Sequence, residues 1–365
     1  MSKYLMLNTN LNFMTVWQQI SQATDWACPE DWQKVKSIDL HTEGEPLRVI
    51  LSGFPSLRGG TILSYRAYVA EHWDHLRRAL MWEPRGHADM YGCILTPPVT
   101  EAADFGTFFL HNEGYSTMCG HAIIALATLV VKMGWVDTST PAVNVKIDTP
   151  AGLVEASVLQ QAGKIKKVSF INVPSFVYAL DQSVEVPALG TVKYDLAFGG
   201  AYYVYTDATA IGLSLAAENN AEIIRIGKAI KRAVMAQSNI NHPDPAAAAL
   251  GFLYGTIFIG PAEDKTKHSR NVCVFAEGEV DRSPTGTGVS GRLALHHARD
   301  QVKAHEEITI ESILGTAFSC QVVGETTFFG RAAIIPQVSG TAFITGRHEF
   351  LLDPADPLRE GFLLR

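Results

Sequence analysis

Residues 281–291 read Asp281-Arg282-Ser283-Pro284-Thr285-Gly286-Thr287-Gly288-Val289-Ser290-Gly291, and helical character follows from Arg292 to Arg299. A weaker version of this arrangement lies upstream, where Met118-Cys119-Gly120-His121 leads into an apolar stretch from Ala122 to Met133. In both places a small polar side chain stands next to glycine, just before a predicted helix. The upstream helix is apolar on nearly every side, which predicts that it is buried.

The residue before a helix offers free backbone N–H groups and the positive end of the helix dipole to whatever lies in front of it. Two such helix ends that face each other would form a pocket able to bind a carboxylate from both sides. One end carries the thiol of Cys119 and the other carries the hydroxyl of Thr285. This difference between the two ends is the main indication of function.

Two further motifs accompany these stretches. They are Ile38-Asp39-Leu40-His41-Thr42-Glu43-Gly44-Glu45-Pro46 and Arg85-Gly86-His87-Ala88-Asp89-Met90-Tyr91-Gly92. With all four motifs in this order, the chain resembles the proline racemase family from about Lys36 almost to its end. Within that family it is most similar to the trans-3-hydroxy-L-proline dehydratases, which have threonine where the racemases have their second cysteine.

The resemblance implies an α/β (α+β) fold like that of diaminopimelate epimerase. Two pseudo-symmetric halves each wrap a central helix, and the active site lies in the cleft between them. We expect an N-terminal extension at 1–35, a first domain at 36–190 with Cys119, and a second domain at 191–344 with Thr285. In such a fold the tail at 345–365 packs back on the first domain. The turn that holds Glu45 is expected to border the substrate site, and a homodimer is the family's usual state.

Composition limits the possible classes of protein. The chain has 365 residues, of which 47% are hydrophobic and 18% charged, enough for a sizeable core. Its net charge of −7 and the absence of a basic cluster argue against nucleic-acid and membrane partners. Three asparagines between residues 8 and 12 interrupt the apolar run that a secretory signal needs. We therefore expect a cytoplasmic protein.

The sequence contains no sign of a cofactor or a metal site. The five cysteines are scattered and include no C-x-x-C pair, so neither a disulfide framework nor a zinc site is expected. No G-x-G-x-x-G follows a predicted strand, and Gly286-Thr287-Gly288 lacks the lysine of a phosphate-binding loop. Apart from Cys119, the cysteines are interpreted as structural.

Hydrophobic periodicity predicts the remaining elements. Helices are expected at Val16–Ala23, Thr61–Met81 and Ala216–Gln237. Strands are expected around 35–51, 89–95, 105–110, 143–177, 190–205, 252–259 and 271–275, and four closing strands between 307 and 349.

The chemistry of these residues suggests proton abstraction next to a carboxylate. Without a cofactor, this step needs a positioned base and strong stabilisation of the carbanion. Cys119 suits the role of base, because a helix N-terminus lowers the pKa of a thiol. The N–H groups near Gly120, His121, Gly286 and Thr287 are placed to bind the carboxylate. By the resemblance, Asp281 and His121 would hold the ring nitrogen, and Tyr91 would line the pocket.

A racemase needs an acid or base on each face of the α-carbon, and the hydroxyl of Thr285 is too weak an acid to replace a thiol. A 3-hydroxyl group on the substrate would let the carbanion expel water instead. In trans-3-hydroxy-L-proline the α-hydrogen and the hydroxyl lie on the same face of the ring. We therefore predict a syn elimination in which Cys119 takes the proton and returns it to the leaving hydroxyl, with His121 as the rival acid. Thr285 is expected to shape the pocket and bind the 3-hydroxyl.

Three alternatives stay open at this point. The protein could be a proline racemase or a 4-hydroxyproline epimerase, which would require a group other than Thr285 on the second face. It could be an isomerase of the wider fold that acts on another small substrate. It could also be a non-catalytic amino-acid-binding protein that has kept the pocket, although an intact Cys119 argues against this.

Overall fold

The computed structural model describes residues 15–22 and 27–364. The α-helices are α1 (Val16–Gln22), α2 (Ile62–His72), α3 (Asp74–Met81), α4 (Gly120–Lys132), α5 (Asn220–Gln237) and α6 (Gly286–Ala298). Short 3₁₀ helices occupy Thr209–Ile211, Ala217–Asn219 and Pro245–Leu250. The first nine strands are β1 (Gln33–Thr42), β2 (Glu45–Ser52), β3 (Tyr91–Thr96), β4 (Phe105–His111), β5 (Tyr115–Ser116), β6 (Ala142–Thr149), β7 (Gly152–Gln161), β8 (Lys164–Ile171) and β9 (Phe176–Val186). The other nine are β10 (Gly190–Phe198), β11 (Tyr202–Asp207), β12 (Leu253–Gly260), β13 (Ser269–Phe275), β14 (Glu279–Val280), β15 (Ile308–Glu311), β16 (Ala317–Phe328), β17 (Arg331–Gly340) and β18 (Ala342–Leu352).

Strand pairing divides the strands into two connected groups. One group runs β18-β1-β2-β3-β4-β6-β7-β8. The other runs β9-β10-β11-β12-β13-β15-β16-β17. The antiparallel pair β8–β17 joins the two groups. Each group surrounds one helix, because a helix that is apolar on all sides is stable only when strands cover it.

The helix α4 is the centre of the first group. Every residue from Gly120 to Val131 is buried, and the helix packs against β1, β2, β6, β7, β8 and β18, and also against β17. The helix α6 has the same place in the second group, where it packs against β9, β10, β11, β16 and β17. The two halves that each wrap a central helix, expected from the resemblance, are therefore present.

The last strand completes the first group. Strand β18 pairs antiparallel with β1 from Gln33 opposite Leu352 to Thr42 opposite Ala342. The chain thus returns to its beginning after it has built the second group. The domain boundaries given above, including the one at residue 190, stay predictions.

Several elements differ from the sequence-based expectation. The single helix predicted over Thr61–Met81 is two helices, because Trp73 leaves the helical region with φ −134° and ψ 18°. Helix α6 begins at Gly286 and not at Arg292. Strand β9 extends to Val186, although the pattern predicted strand only to Val177. Helix α5 begins at Asn220, after a 3₁₀ turn at Ala217–Asn219.

At the N-terminus, α1 lies within the predicted Val16–Ala23 helix, and Ala23 falls outside the described residues. None of the helices in the described part of the chain is long and apolar enough to cross a membrane.

Candidate active site

Cys119 stands immediately before α4. Its backbone is extended, with φ −143° and ψ 105°, as is usual for the residue that precedes a helix. Its side chain makes no capping hydrogen bond to the helix, and Cys119 lines the pocket described below. Because α4 is buried on all sides, the position of its first turn, and with it the position of Cys119, is fixed by the core.

Thr285 has the matching place before α6, but with an unusual backbone. Its φ of 68° is in the left-handed region, which a β-branched residue rarely adopts. The preceding turn holds it there: the Thr285 N–H donates to Ser283 Oγ (3.1 Å), and the Ser283 N–H donates to Asp281 Oδ1 (2.8 Å). The Thr285 hydroxyl makes no capping bond, and Oγ1 is buried without a hydrogen-bond partner among the described residues.

The helices α4 and α6 contact each other, and a small, nearly closed pocket lies at their N-termini. All eight site residues predicted from the sequence line it. They are Tyr91, Cys119, Gly120, His121, Asp281, Thr285, Gly286 and Thr287. The structure therefore brings together residues from three separate stretches of sequence. The roles assigned to them stay a proposal.

Five further residues line the pocket: Glu45, Met118, Tyr203, Tyr254 and Phe275. Glu45 belongs to the motif that was expected to border the site. Met118 belongs to the Met118–His121 motif. Tyr203, Tyr254 and Phe275 were not singled out, because a tyrosine or phenylalanine in a strand gives the same pattern whether it faces the core or a ligand. Tyr203 donates to, or accepts from, Thr287 Oγ1 at 2.8 Å, and the rings of Tyr254 and Phe275 stack with centroids 5.4 Å apart.

Cys119 has an imidazole next to it. The distance from Cys119 Sγ to His121 Nδ1 is 3.1 Å, which suits transfer of the thiol proton to the ring nitrogen. The Tyr91 ring meets the His121 ring edge-on, with centroids 4.8 Å apart, and the Tyr91 hydroxyl is hydrogen-bonded to Ser116 Oγ. The hydroxyl of Thr42 donates to the His121 carbonyl (2.8 Å), which ties the first turn of α4 to the β1–β2 turn.

The pKa of Cys119 does not follow the sequence-based expectation. Burial raises the pKa of the thiol well above its ordinary value and outweighs the stabilising N–H of Ala122, while Asp281 and Glu45 raise it further. Burial also lowers the pKa of His121 to about 4. In the closed pocket without substrate, the pair is therefore a neutral thiol beside a neutral imidazole. The helix dipole is present, but desolvation of the anion is the larger effect.

One wall of the pocket is rich in electron-pair donors. One donor atom each from Glu45, His121 and Asp281 lies within 4.8 Å of the others, and all three residues are buried. Such a group can bind a cation, either a metal ion or the ammonium group of a substrate. Asp281 is 5% exposed.

Glu45 is held at the boundary between the halves. Its Oε2 accepts a hydrogen bond from the Arg282 backbone N–H (2.7 Å), and its Oε1 is buried without a partner among the described residues. Burial raises the pKa of Glu45 well above its ordinary value, and the nearby Asp281 raises it further. The Arg282 guanidinium does not neutralise Glu45 by direct pairing, because its Nη1 is 2.8 Å from Asp89 Oδ2.

Polar contacts near the site connect the two strand groups. Besides the Glu45–Arg282 and Asp89–Arg282 contacts, Glu43 in the β1–β2 turn accepts from the Thr341 hydroxyl (2.7 Å), and its carbonyl accepts from the Thr316 hydroxyl (2.7 Å). Cys119 and Thr285 are each only 5% exposed.

Comparison with known proteins agrees with this architecture. A family model described as proline racemase matches residues 37–363. A protein named trans-3-hydroxy-L-proline dehydratase from Colwellia psychrerythraea is 50% identical over 92% of this chain and 94% of its own length. A 3-hydroxyproline 2-epimerase from Burkholderia multivorans is 44% identical over 91% of this chain and 99% of its own.

A solved structure is similar as well. The crystal structure of a hydroxyproline epimerase from Agrobacterium vitis, with bound trans-4-OH-L-proline, aligns with a TM-score of 0.84 at 31% identity. It covers 91% of this chain and 96% of that one. This match confirms the α/β fold predicted above. Matched over nearly its whole length in sequence and in structure, the chain belongs to the proline racemase family.

Proposed function

We propose that this chain is a hydro-lyase, a trans-3-hydroxy-L-proline dehydratase that forms Δ1-pyrroline-2-carboxylate. One observation carries the proposal: the thiol of Cys119 faces a pocket in which Thr285, and not a second thiol, precedes the opposite helix. A single base is enough for elimination of water, whereas inversion at the α-carbon needs groups on both faces. Among the relatives of this chain, the proteins from Colwellia psychrerythraea and Burkholderia cenocepacia bear this enzyme's name.

The substrate carboxylate would bind between the two helix ends. The backbone N–H groups of Gly120, His121, Gly286 and Thr287 belong to the first turns of α4 and α6, where they have no partner within the helix. As the α-proton leaves, negative charge grows on this carboxylate, so the two dipoles stabilise the carbanion more strongly than the ground state. The amine would lie against Asp281 and His121.

Cys119 would remove the α-proton as a thiolate. His121 Nδ1, at 3.1 Å from Sγ, is placed to accept the thiol proton. A cationic substrate amine beside Asp281 would offset the negative charge of Asp281, which raises the pKa of the thiol. Loss of the 3-hydroxyl from the carbanion gives an enamine, which tautomerises to the imine. Thr285 would contact the 3-hydroxyl through its free Oγ1.

The remaining parts of the proposal are based on the family resemblance. We propose that the reaction uses no cofactor and no metal ion, that the protein is a homodimer, and that it acts in the cytoplasm. Its ligand is a small proline-like imino acid, and we propose no nucleic-acid or membrane partner. Light scattering of the purified protein tests the oligomeric state directly.

The function is tested by incubating the protein with trans-3-hydroxy-L-proline and trapping the cyclic imine, with L-proline in deuterated water as a parallel reaction. Imine formation without deuterated D-proline is the expected result. Deuterated D-proline without imine would indicate a racemase, and inverted trans-3-hydroxy-L-proline without imine would indicate an epimerase. Binding of L-proline with no product from either compound would indicate a non-catalytic binding protein.

A further inference from the structure

Dehydration requires a second proton transfer besides removal of the α-hydrogen. Hydroxide is a poor leaving group, so an acid must protonate the 3-hydroxyl as its bond to carbon breaks. A suitable acid must lie in the pocket, hold a proton at neutral pH and be able to donate that proton to the substrate. The following inference rests on the proposed function and concerns the source of this proton.

Most polar groups of the pocket do not meet these conditions. The Tyr91 and Tyr203 hydroxyls are hydrogen-bonded to Ser116 and Thr287, and burial raises the pKa of both phenols well above their ordinary values. His121 is a neutral imidazole at neutral pH, because burial lowers its pKa to about 4. The hydroxyl of Thr285 is free, but an aliphatic hydroxyl is too weak an acid.

Glu45 is the pocket group whose surroundings fit these conditions best. It is fully buried and lines the pocket. Its Oε2 is fixed by the Arg282 N–H at 2.7 Å, whereas its Oε1 has no partner among the described residues. An orphaned, buried carboxyl oxygen is unfavourable unless it carries a proton or meets a ligand group. Burial and the neighbouring Asp281 favour the protonated carboxyl, since they raise the pKa of Glu45.

The position of Glu45 also fits the stereochemistry of the substrate. The α-hydrogen and the 3-hydroxyl of trans-3-hydroxy-L-proline lie on one face of the ring, so the base and the acid must lie on one side of the cleft. Glu45 begins β2 and Cys119 precedes α4, and both elements belong to the first strand group. Thr285 instead precedes α6, the helix that packs against the second group.

We propose that Glu45 is the catalytic acid that protonates the departing 3-hydroxyl of the substrate. In the step, the Cα–H bond breaks and its proton passes to the Cys119 thiolate, while the electron pair forms the Cα–Cβ double bond. The C3–O bond breaks, and the oxygen takes the proton of Glu45 Oε1 and leaves as water. The products are an enamine, water, a Cys119 thiol and a Glu45 carboxylate.

The starting state is restored when one proton passes from Cys119 to Glu45. His121 lies on this route: its Nδ1 is 3.1 Å from Sγ, and a ring nitrogen is within 4.8 Å of a Glu45 carboxyl oxygen. This role differs from the prediction that Cys119 itself returns the proton to the hydroxyl, and from the rival assignment of His121 as the acid.

The test uses a leaving group that needs no proton. Glu45→Gln keeps the shape of the side chain and removes its acidic proton. We expect this variant to lose dehydration of trans-3-hydroxy-L-proline by a factor of about 10² to 10⁴. The same variant should still release fluoride from trans-3-fluoro-L-proline at close to the wild-type rate, because Cys119 still removes the α-proton and fluoride departs as an anion.

Glu43→Gln is the matched control, because Glu43 lies in the same turn but does not line the pocket. It should retain both reactions. Dehydration retained in Glu45→Gln would overturn the proposal in favour of Cys119 as the acid. Loss of both reactions together, with weaker binding of L-proline, would overturn it in favour of an amine-binding role for Glu45.

A measurement on the wild-type protein gives a second test that does not depend on the folding of a variant. The ratio of dehydration to fluoride release should fall as the pH rises and Glu45 loses its proton, and a ratio that rises with pH would contradict the proposal. If wild-type protein forms no imine from trans-3-hydroxy-L-proline, the proposed function itself is wrong. If it forms imine and Glu45→Gln does so equally well, only the assignment of Glu45 is wrong.

Discussion

Gly120 and Gly286, the first residues of α4 and α6, approach each other so closely that neither has room for a side chain. A β-carbon built on Gly120 would lie 2.9 Å from the α-carbon of Gly286, and the reverse distance is also 2.9 Å. The two glycines therefore let two helix N-termini share one small space. Two positive helix ends repel each other, so this contact is favourable mainly when an anion lies between them.

Replacing Gly120 by alanine should force the helix ends apart. The new methyl group would also lie 2.8 Å from the Phe170 ring. We expect kcat/KM for dehydration to fall by about 10²-fold, because a displacement of about 1 Å is enough to misalign the reacting groups. Overpacking should also lower the free energy of unfolding by about 1–3 kcal/mol.

The matched control is Gly60→Ala, because a β-carbon at Gly60 would have no atoms near it and the backbone there is not left-handed. It should leave both activity and stability nearly unchanged. Normal activity of Gly120→Ala would show that the closed contact between the helix ends is not needed for turnover.

Replacing Cys119 by serine should remove the base. An aliphatic hydroxyl is far less acidic than a thiol, so the expected loss in kcat is about 10²- to 10⁴-fold. The initial rate of imine formation measures it. Cys320→Ala serves as the control, since Cys320 is equally buried but lies in β16, outside the pocket. A Cys119→Ser protein with near-normal dehydration would rule out the thiol as the base.

Replacing Thr285 by cysteine should add a new activity. A thiol at this position would stand on the second face of the α-carbon and could reprotonate it there. We expect racemisation of L-proline in deuterated water to rise at least about 10²-fold above that of the starting protein, since this is the usual contribution of one positioned acid or base. The left-handed backbone should tolerate the change, because cysteine is not β-branched. Unlabelled D-proline, or none at all, would contradict this expectation.

His121 should make the folded protein sensitive to acid. Its pKa in the folded state is about 4, below the roughly 6.5 of an unfolded chain. The unfolded state therefore binds the proton first, and the stability contributed by the neutral imidazole is complete above about pH 6.5 and lost as the pH falls toward 4. Between pH 7 and pH 4.5 this loss should be on the order of 2–3 kcal/mol.

Urea unfolding of wild-type protein and of His121→Gln at the two pH values measures this contribution. Between pH 7 and pH 4.5, the free energy of unfolding should fall less in His121→Gln than in the wild type, and the difference should equal the contribution of His121. His296→Gln provides the comparison, because burial lowers the pKa of His296 to about 4 as well. Each variant should remove only the part of the acid-induced loss of stability that its own histidine causes. An equal loss in wild type and His121→Gln would show that His121 is not responsible.

The position of the site could be predicted from the sequence because its residues stand beside helix starts. Cys119 and Thr285 were found from the glycine that follows each of them, and the structure puts both at the same pocket. The pKa of Cys119 could not be predicted in this way. The sequence indicates the helix dipole but not the burial of the thiol, and burial dominates. The free Oε1 of Glu45 likewise depends on contacts between the two halves.

The first residues of α6 gave a weak helical pattern, which was clear only from Arg292. Residues 286–291 contain three glycines, and glycine is a poor helix former. In the structure these glycines are helical, and side chains of neighbouring strands pack closely against them. A β-carbon on Gly288 would lie 2.3 Å from Ile257 Cδ1, and one on Gly291 would lie 2.3 Å from the Tyr205 hydroxyl. Close packing thus outweighs the local preference, and a single sequence does not reveal it.

The pairing of β18 with β1 has a consequence for biosynthesis. Strand β1 pairs with β2 on one side but finds its partner on the other side only when residues 342–352 have been translated. The half that carries Cys119 therefore cannot finish folding before residues 342–352 have been made. Until then β1 presents an unpaired edge, which is a site for aggregation. A nascent chain that stalls before residue 342 should depend on chaperones, and a prematurely terminated one should be degraded.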